Sequence, residues 1–115
     1  MTMETIAINY IEFNVKNIAK SKAFYSALGW KFVDYGEQYC EFNSGALKGG
    51  FFQADDVNSK GGALVILFSH DLENTLNNIK NAGGIITADI FEFPGGKRFH
   101  FKDSDGYELA VWSNV

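Results

Sequence analysis

The chain has 115 residues, the length of one compact domain. Fourteen Asp plus Glu against ten Lys plus Arg give a net charge of −4, which argues against a nucleic-acid binder with its concentrated basic surface. A hydrophobic content of 46% argues against disorder, and the longest apolar run, Ala63 to Phe68, is too short for a membrane-spanning helix. Glu4 and the absence of a basic stretch before an apolar run give no secretory pattern, and the single Cys40 cannot form an intrachain disulfide. A cytoplasmic protein is expected. The 16% aromatic content leaves rings available for a cavity or an interface.

In chain order, the stretch Ile6–Val15 predicts a strand, with Ile11, Phe13 and Val15 on one face and Tyr10, Glu12 and Asn14 on the other. Asn17 predicts the N-cap of a helix over Ile18–Leu28, closed by Gly29. Strands follow at Lys31–Tyr35, Gln38–Asn43 and Leu47–Gln53, with a turn at Ser44-Gly45. The second half repeats the order: a strand at Ala63–Phe68, then a helix capped by Asp71, patterned by Leu72, Leu76 and Ile79, and ended by Gly83-Gly84. Strands at Ile85–Ile90, Lys97–Lys102 and Tyr107–Trp112 complete it, with turns at Pro94-Gly95-Gly96 and Asp105-Gly106.

Moving the first half forward by 54 residues lays Ile11 on Val65, Asn17 on Asp71, Tyr25 on Ile79 and Gly29 on Gly83. Caps, core positions and closing glycines coincide, so residues 1–115 read as a single α+β domain made of two βαβββ units, about 5–54 and 61–115.

The motifs Phe24-Tyr25…Leu28-Gly29-Trp30 and Phe101-Lys102-Asp103-Ser104-Asp105-Gly106 give the chain a resemblance to the vicinal oxygen chelate superfamily, which includes glyoxalase I, fosfomycin- and bleomycin-resistance proteins and extradiol dioxygenases. Ser104 stands where that family usually has proline. Glu12 after an aromatic and Gly49-Gly50 resemble its small glyoxalase-like branch. The resemblance implies an eight-stranded open cup with the helices packed outside, and commonly a homodimer. It also implies metal ligands at the positions of Tyr10, Gly49 or Gly50, Leu64 and Ala110. None of these residues is a His or a carboxylate, so no metal and no other cofactor is expected.

Alternation places Tyr10, Glu12 and Asn14 in the cup, together with Leu64, Ile66 and Phe68, and Glu108, Ala110 and Trp112. Analogy with the fosfomycin-resistance relatives adds Arg98 and His100. Apolar walls with a few polar groups are typical of small-molecule sites. Glu12 is a candidate base or ligand-orienting acceptor; an ion pair with Arg98 or a wet cup mouth accounts for it equally well. His100 is a candidate proton shuttle or a solvent-facing strand residue. Arg98, with Lys97, fits an anionic ligand or a solvated strand end. His70 reads as a loop residue, and Cys40 as a buried inert thiol. The expected function is binding of a small organic molecule in a metal-free cup, with no nucleic-acid or membrane partner. The alternative is a lyase- or isomerase-like enzyme moving protons with Glu12 and either His100 or Glu108.

Overall fold

A computed structural model describes residues 4–115. Two βαβββ units follow one another. The first runs β1 (Tyr10–Val15), α1 (Ile18–Ser26), β2 (Lys31–Asp34), β3 (Tyr39–Asn43) and β4 (Lys48–Gln53). The second runs β5 (Val65–Phe68), α2 (Leu72–Asn81), β6 (Ile85–Phe93), β7 (Gly96–Lys102) and β8 (Glu108–Ser113). Each unit forms an open four-stranded sheet, ordered β1-β4-β3-β2 and β5-β8-β7-β6, with its first and last strands parallel. The helices lie on the side away from the cup faces. No helix among the described residues is long and apolar enough to cross a membrane.

The helix signals act as the sequence predicts at the start of each helix. Asn17 and Asp71 accept hydrogen bonds from the backbone N–H of Lys20 and Asn74, satisfying donors that the first turn leaves free. Both helices end earlier than their glycines: α1 stops at Ser26, and Gly29 and Gly83 follow in the left-handed region, at φ of 84° and 97°. The first strand begins at Tyr10 rather than Ile6, because its partner β4 begins at Lys48, opposite Tyr10, and offers nothing to pair with earlier residues. Similarly β5 starts at Val65, opposite Leu109. Conversely, β6 runs on to Phe93, because the turn at Pro94-Gly95 brings Gly96 back against it; two register shifts break the pairing on the way.

The two units share one core. An aromatic stack runs from Phe51 and Phe42 of the first sheet through Trp30 to Tyr25 of α1, with Trp30 4.6 Å from Phe42 and 4.3 Å from Tyr25 between ring centres. Beside it Phe24 stacks on Phe101 of the second sheet. Phe99, Leu109 and Val111 extend the same cluster, and Ile79 of α2 closes it. Such rings bury large apolar area and gain further from their stacked geometry.

Polar bonds hold the seam. The turn between β7 and β8 is ordered by Asp103, whose Oδ1 accepts from the backbone N–H of Asp105 and Tyr107. Its Oδ2 accepts from the Tyr25 hydroxyl of α1 at 2.7 Å. Asp105 in turn accepts from the Lys16 N–H and the Ser21 hydroxyl, while the Tyr107 hydroxyl donates to the Asn14 carbonyl. Burial raises the Asp103 pKa above the ordinary carboxylate value, and the Tyr25 and backbone donors pull it back only in part.

Removing the Tyr25 hydroxyl therefore has a pH-dependent cost. Tyr25→Phe should destabilise the chain by about 1–3 kcal/mol at neutral pH, since the lost bond goes to a charged group. In the variant the Asp103 pKa lies higher still, so the folded state holds its proton to higher pH than in the parent. The deficit should then be smallest in acid, where both carboxyls are protonated, and should grow as pH rises through the native Asp103 pKa. Urea titrations across the acid range measure it; a deficit independent of pH would contradict the assignment.

Candidate functional site

Strand alternation gives each sheet one face against the core and one turned away from it. On the first sheet the outer face carries Tyr10, Glu12 and Asn14, and the register sets Glu12 beside Gly50 and Gly50 beside Glu41. Tyr39 reaches over Gly50 to meet them. Its hydroxyl donates to Glu12 Oε1 at 2.9 Å and lies 2.6 Å from the Tyr10 hydroxyl. Because Tyr39 gives its only proton to Glu12, Tyr10 is the donor to Tyr39. The fourth-strand position is now fixed as Gly50, where a Cβ would run into the Tyr39 hydroxyl and ring. Burial, then the bonds with Tyr10 and Glu12, hold the Tyr39 phenol well above its ordinary pKa.

On the second sheet the outer face carries Arg98, His100 and Lys102 of β7, flanked by Trp112, Ala110 and Glu108 of β8. Ile66 and Phe68 of β5 continue the row beyond Ala110 and Trp112. His100 Nδ1 lies 2.9 Å from Glu108 Oε2. The Arg98 guanidinium sits over the rings of Phe91 and Phe93, at 5.4 and 5.6 Å from their centres. His100 stands between two small neighbours, Ala88 and Ala110. Phe68 packs edge-on against Trp112 and against His70, which makes no hydrogen bond among the described residues.

The residues expected in the cup thus form two groups, one per sheet. Tyr10 and Glu12 are joined through Tyr39, and Asn14 continues their row. His100 and Glu108 are joined directly, with Arg98, Ile66, Ala110 and Trp112 around them. Leu64 immediately precedes β5 and is partly exposed. No hydrogen bond or ion pair links Glu12 to Arg98 or His100 among the described residues; Tyr39 is the partner that Glu12 takes instead. Sequence reasoning missed Tyr39, Phe91 and Phe93. Tyr39 was within reach, because Cys40 and Phe42 are core residues and parity sends Tyr39 and Glu41 outward. Phe91 was not, because the register shifts in β6 break its parity. Cys40 is fully buried and its thiol is pushed up to about 11, mainly by burial.

A divalent metal does not fit the four positions at which the family pattern would place its ligands. Tyr10 is engaged with Tyr39, the space over Gly50 is filled by the same phenol, and Leu64 and Ala110 carry no donor. No group of three or more His, Cys, Asp or Glu residues is placed to hold an ion among the described residues. A concavity of about 770 Å³ runs along the seam between Ile11, Phe13 and Trp30 on one side and Val65, Leu67 and Val111 on the other, and it reaches Leu64, Ile66 and Phe68 at its edge. No ionisable side chain lines it.

Two repeated βαβββ units with paired open sheets define the glyoxalase class of fold. Residues 7–111 match the Glyoxalase/Bleomycin resistance protein/Dioxygenase superfamily, and the chain belongs to that family. Among solved structures it is similar to a glyoxalase-related enzyme from Fulvimarina pelagi, with a TM-score of 0.82, 16% identity, and 96% of this chain and 89% of that one covered. The fosfomycin resistance protein FosX from Listeria monocytogenes, solved with Mn(II) and 1S,2S-dihydroxypropylphosphonic acid, is similar at a TM-score of 0.83 and 15% identity, with 97% and 93% covered. A family enzyme from Burkholderia phytofirmans PsJN is similar at 0.83 and 12%, with 93% and 98% covered. No curated protein matches the chain in sequence. At these identities the likeness establishes the fold, and the chemistry has to come from the residues.

The donor set predicts purification without stoichiometric Zn, Ni, Mn or Fe. Elemental analysis should find well under one such ion per chain. One ion per chain, retained after substitution of His70 and His100, would contradict this reading.

Proposed function

We propose that the protein binds a small organic molecule, without a metal, in a cup that two copies of the chain complete together. The observation that carries this reading is the direction of the two outer faces. Both turn away from the single core that the units share, so each chain offers two half-cups to solvent rather than one closed cup. Their apolar side chains stay open accordingly: Tyr10, Phe52, Ile66, Phe68 and Phe91 are each 38–46% exposed. The radius of gyration is 15.0 Å, against about 13 Å for a compact chain of this length. A two-fold pair would set the first unit of one copy against the second unit of the other, covering apolar faces on both. A cup of this kind has apolar walls and a few convergent polar groups, the usual make-up of a small-molecule site. The cytoplasm suits a lone buried thiol.

A second reading, proton-transfer catalysis of the lyase or isomerase kind, is favoured by one observation. His100 turns Nδ1 to the Glu108 carboxylate, an arrangement that orients the ring and leaves Nε2 to exchange a proton with a bound molecule.

Light scattering at micromolar concentration should give about twice the chain mass of 12.8 kDa. A monomer would count against the shared cup. Screening a fragment library by amide chemical shifts should then map ligands to β1, β7 and β8 rather than to the seam groove. For a cup ligand so found, Glu12→Gln keeps the acceptor for Tyr39 and removes the charge. Affinity should fall by about 1–3 kcal/mol, the usual range for an unsatisfied buried partner, with little change in Tm. Unchanged affinity together with a lowered Tm would make Glu12 structural.

A further inference from the structure

The second sheet's outer face carries a cation whose needs the chain does not meet. Arg98 takes part in no ion pair among the described residues, and its Nε is shut off from solvent with no hydrogen-bond partner. Two residues along the same strand and on the same face, His100 Nε2 is equally shielded and equally without a partner. A guanidinium stays ionised at every working pH. Burying its donor without an acceptor is costly, and more so inside an aromatic setting. Here the guanidinium lies over the rings of Phe91 and Phe93, and Trp112 pairs with Arg98 across the strands.

We infer that Arg98 and His100 form the acid-recognition end of the cup and take the carboxylate of a ligand with an apolar body. The inference rests on the cup being the ligand site and names the ligand class that it accepts. One carboxylate oxygen accepts from Arg98 Nε–H. Nδ1–H donates to the Glu108 carboxylate, so it is the imidazolium form of His100 that gives an Nε2–H bond to the second oxygen. Arg98 Nε and His100 Nε2 are both shielded in the chain itself, so the ligand reaches them when the exposed Phe91 ring, which lies beside both side chains, turns aside. Phe68, Trp112 and Ile66 provide the wall for the apolar body. A singly charged carboxylate suits these surroundings better than a phosphate, because a second charge would have to be desolvated against the same rings.

Phenylacetate is the probe, with neutral phenylacetamide and doubly charged phenyl phosphate as its matched controls, all titrated into the ¹⁵N-labelled protein. Phenylacetate should shift the amides of Arg98–Phe101 and Glu108–Trp112 and bind at least tenfold more tightly than either control. Arg98→Met should abolish that preference. Arg98→Lys, which keeps the charge but loses the Nε donor, should weaken phenylacetate several-fold and serves if the methionine variant does not fold. Equal binding of phenylacetamide at the same amides would overturn the carboxylate assignment and leave the cup reading intact. Tighter binding of phenyl phosphate would also overturn it. Failure of phenylacetate to bind overturns it too, whereas failure of every cup fragment would overturn the cup reading itself. If Arg98→Met splits the dimer and phenylacetate binds neither form, the missing acceptor is a carboxylate of the second copy, and the inference fails.

Discussion

The bond between the Tyr25 hydroxyl and the Asp103 carboxylate is where the two halves of the chain become one structure. Tyr25 belongs to the helix of the first unit and Asp103 to the last turn of the second. Both are buried, so the bond operates where water cannot compete for either partner. Asp103 also orders its own turn through two backbone N–H groups, and Asp105 two residues on reaches back to Lys16 and Ser21. The aromatic stack around Tyr25 then packs against a seam whose relative position is already fixed. Because the seam runs through the helices, the sheet faces that remain free are those pointing away from it, and the proposed site lies on them.

Much of this architecture was legible in the amino-acid sequence. Asn17 and Asp71 marked both helix starts, strand parity sorted Phe13 from Glu12, and the family resemblance sorted Phe101 from His100. Ends were less legible, since a strand stops where its partner stops: nothing in Ile6 or Ile8 says that β4 begins opposite Tyr10. The candidate site was legible in membership but not in partnership. Parity turned Glu12 away from the core, and the likeness to fosfomycin-resistance proteins turned Arg98 the same way, yet which carboxylate meets which cation depends on how two sheets face, and that is set by Tyr25 and Asp103. Tyr39 escaped because its importance comes from Gly50 on the neighbouring strand, where a missing side chain leaves room for a phenol.

The same glycine bears on how this chain departs from its relatives. In a fold whose cup can carry a metal, the fourth strand supplies a ligand by projecting a side chain inward. Here Gly50 projects none at that position, and the Tyr39 phenol from the neighbouring strand occupies the space, tied to Tyr10 and Glu12. The polar chemistry that remains is therefore made of hydroxyls, carboxylates, the Asn14 amide, the Lys102 ammonium, one imidazole and one guanidinium. Such groups recognise ligands by hydrogen bonds and charge and exchange protons, which is the range of chemistry the two readings of function draw on.

Strand alternation also separates two kinds of inheritance. On the strands, core residues such as Phe51, Phe99, Leu109 and Val111 sit at one parity, and the candidate ligand contacts sit at the other. A substitution at Glu12, Arg98 or Trp112 changes what the cup greets without touching the packing that keeps the sheets in place. Sequences can then drift apart on one face of each strand while the backbone stays where it was. Proteins that share only 12–16% of their residues with this chain yet superpose on it closely are what such a division of labour would leave behind.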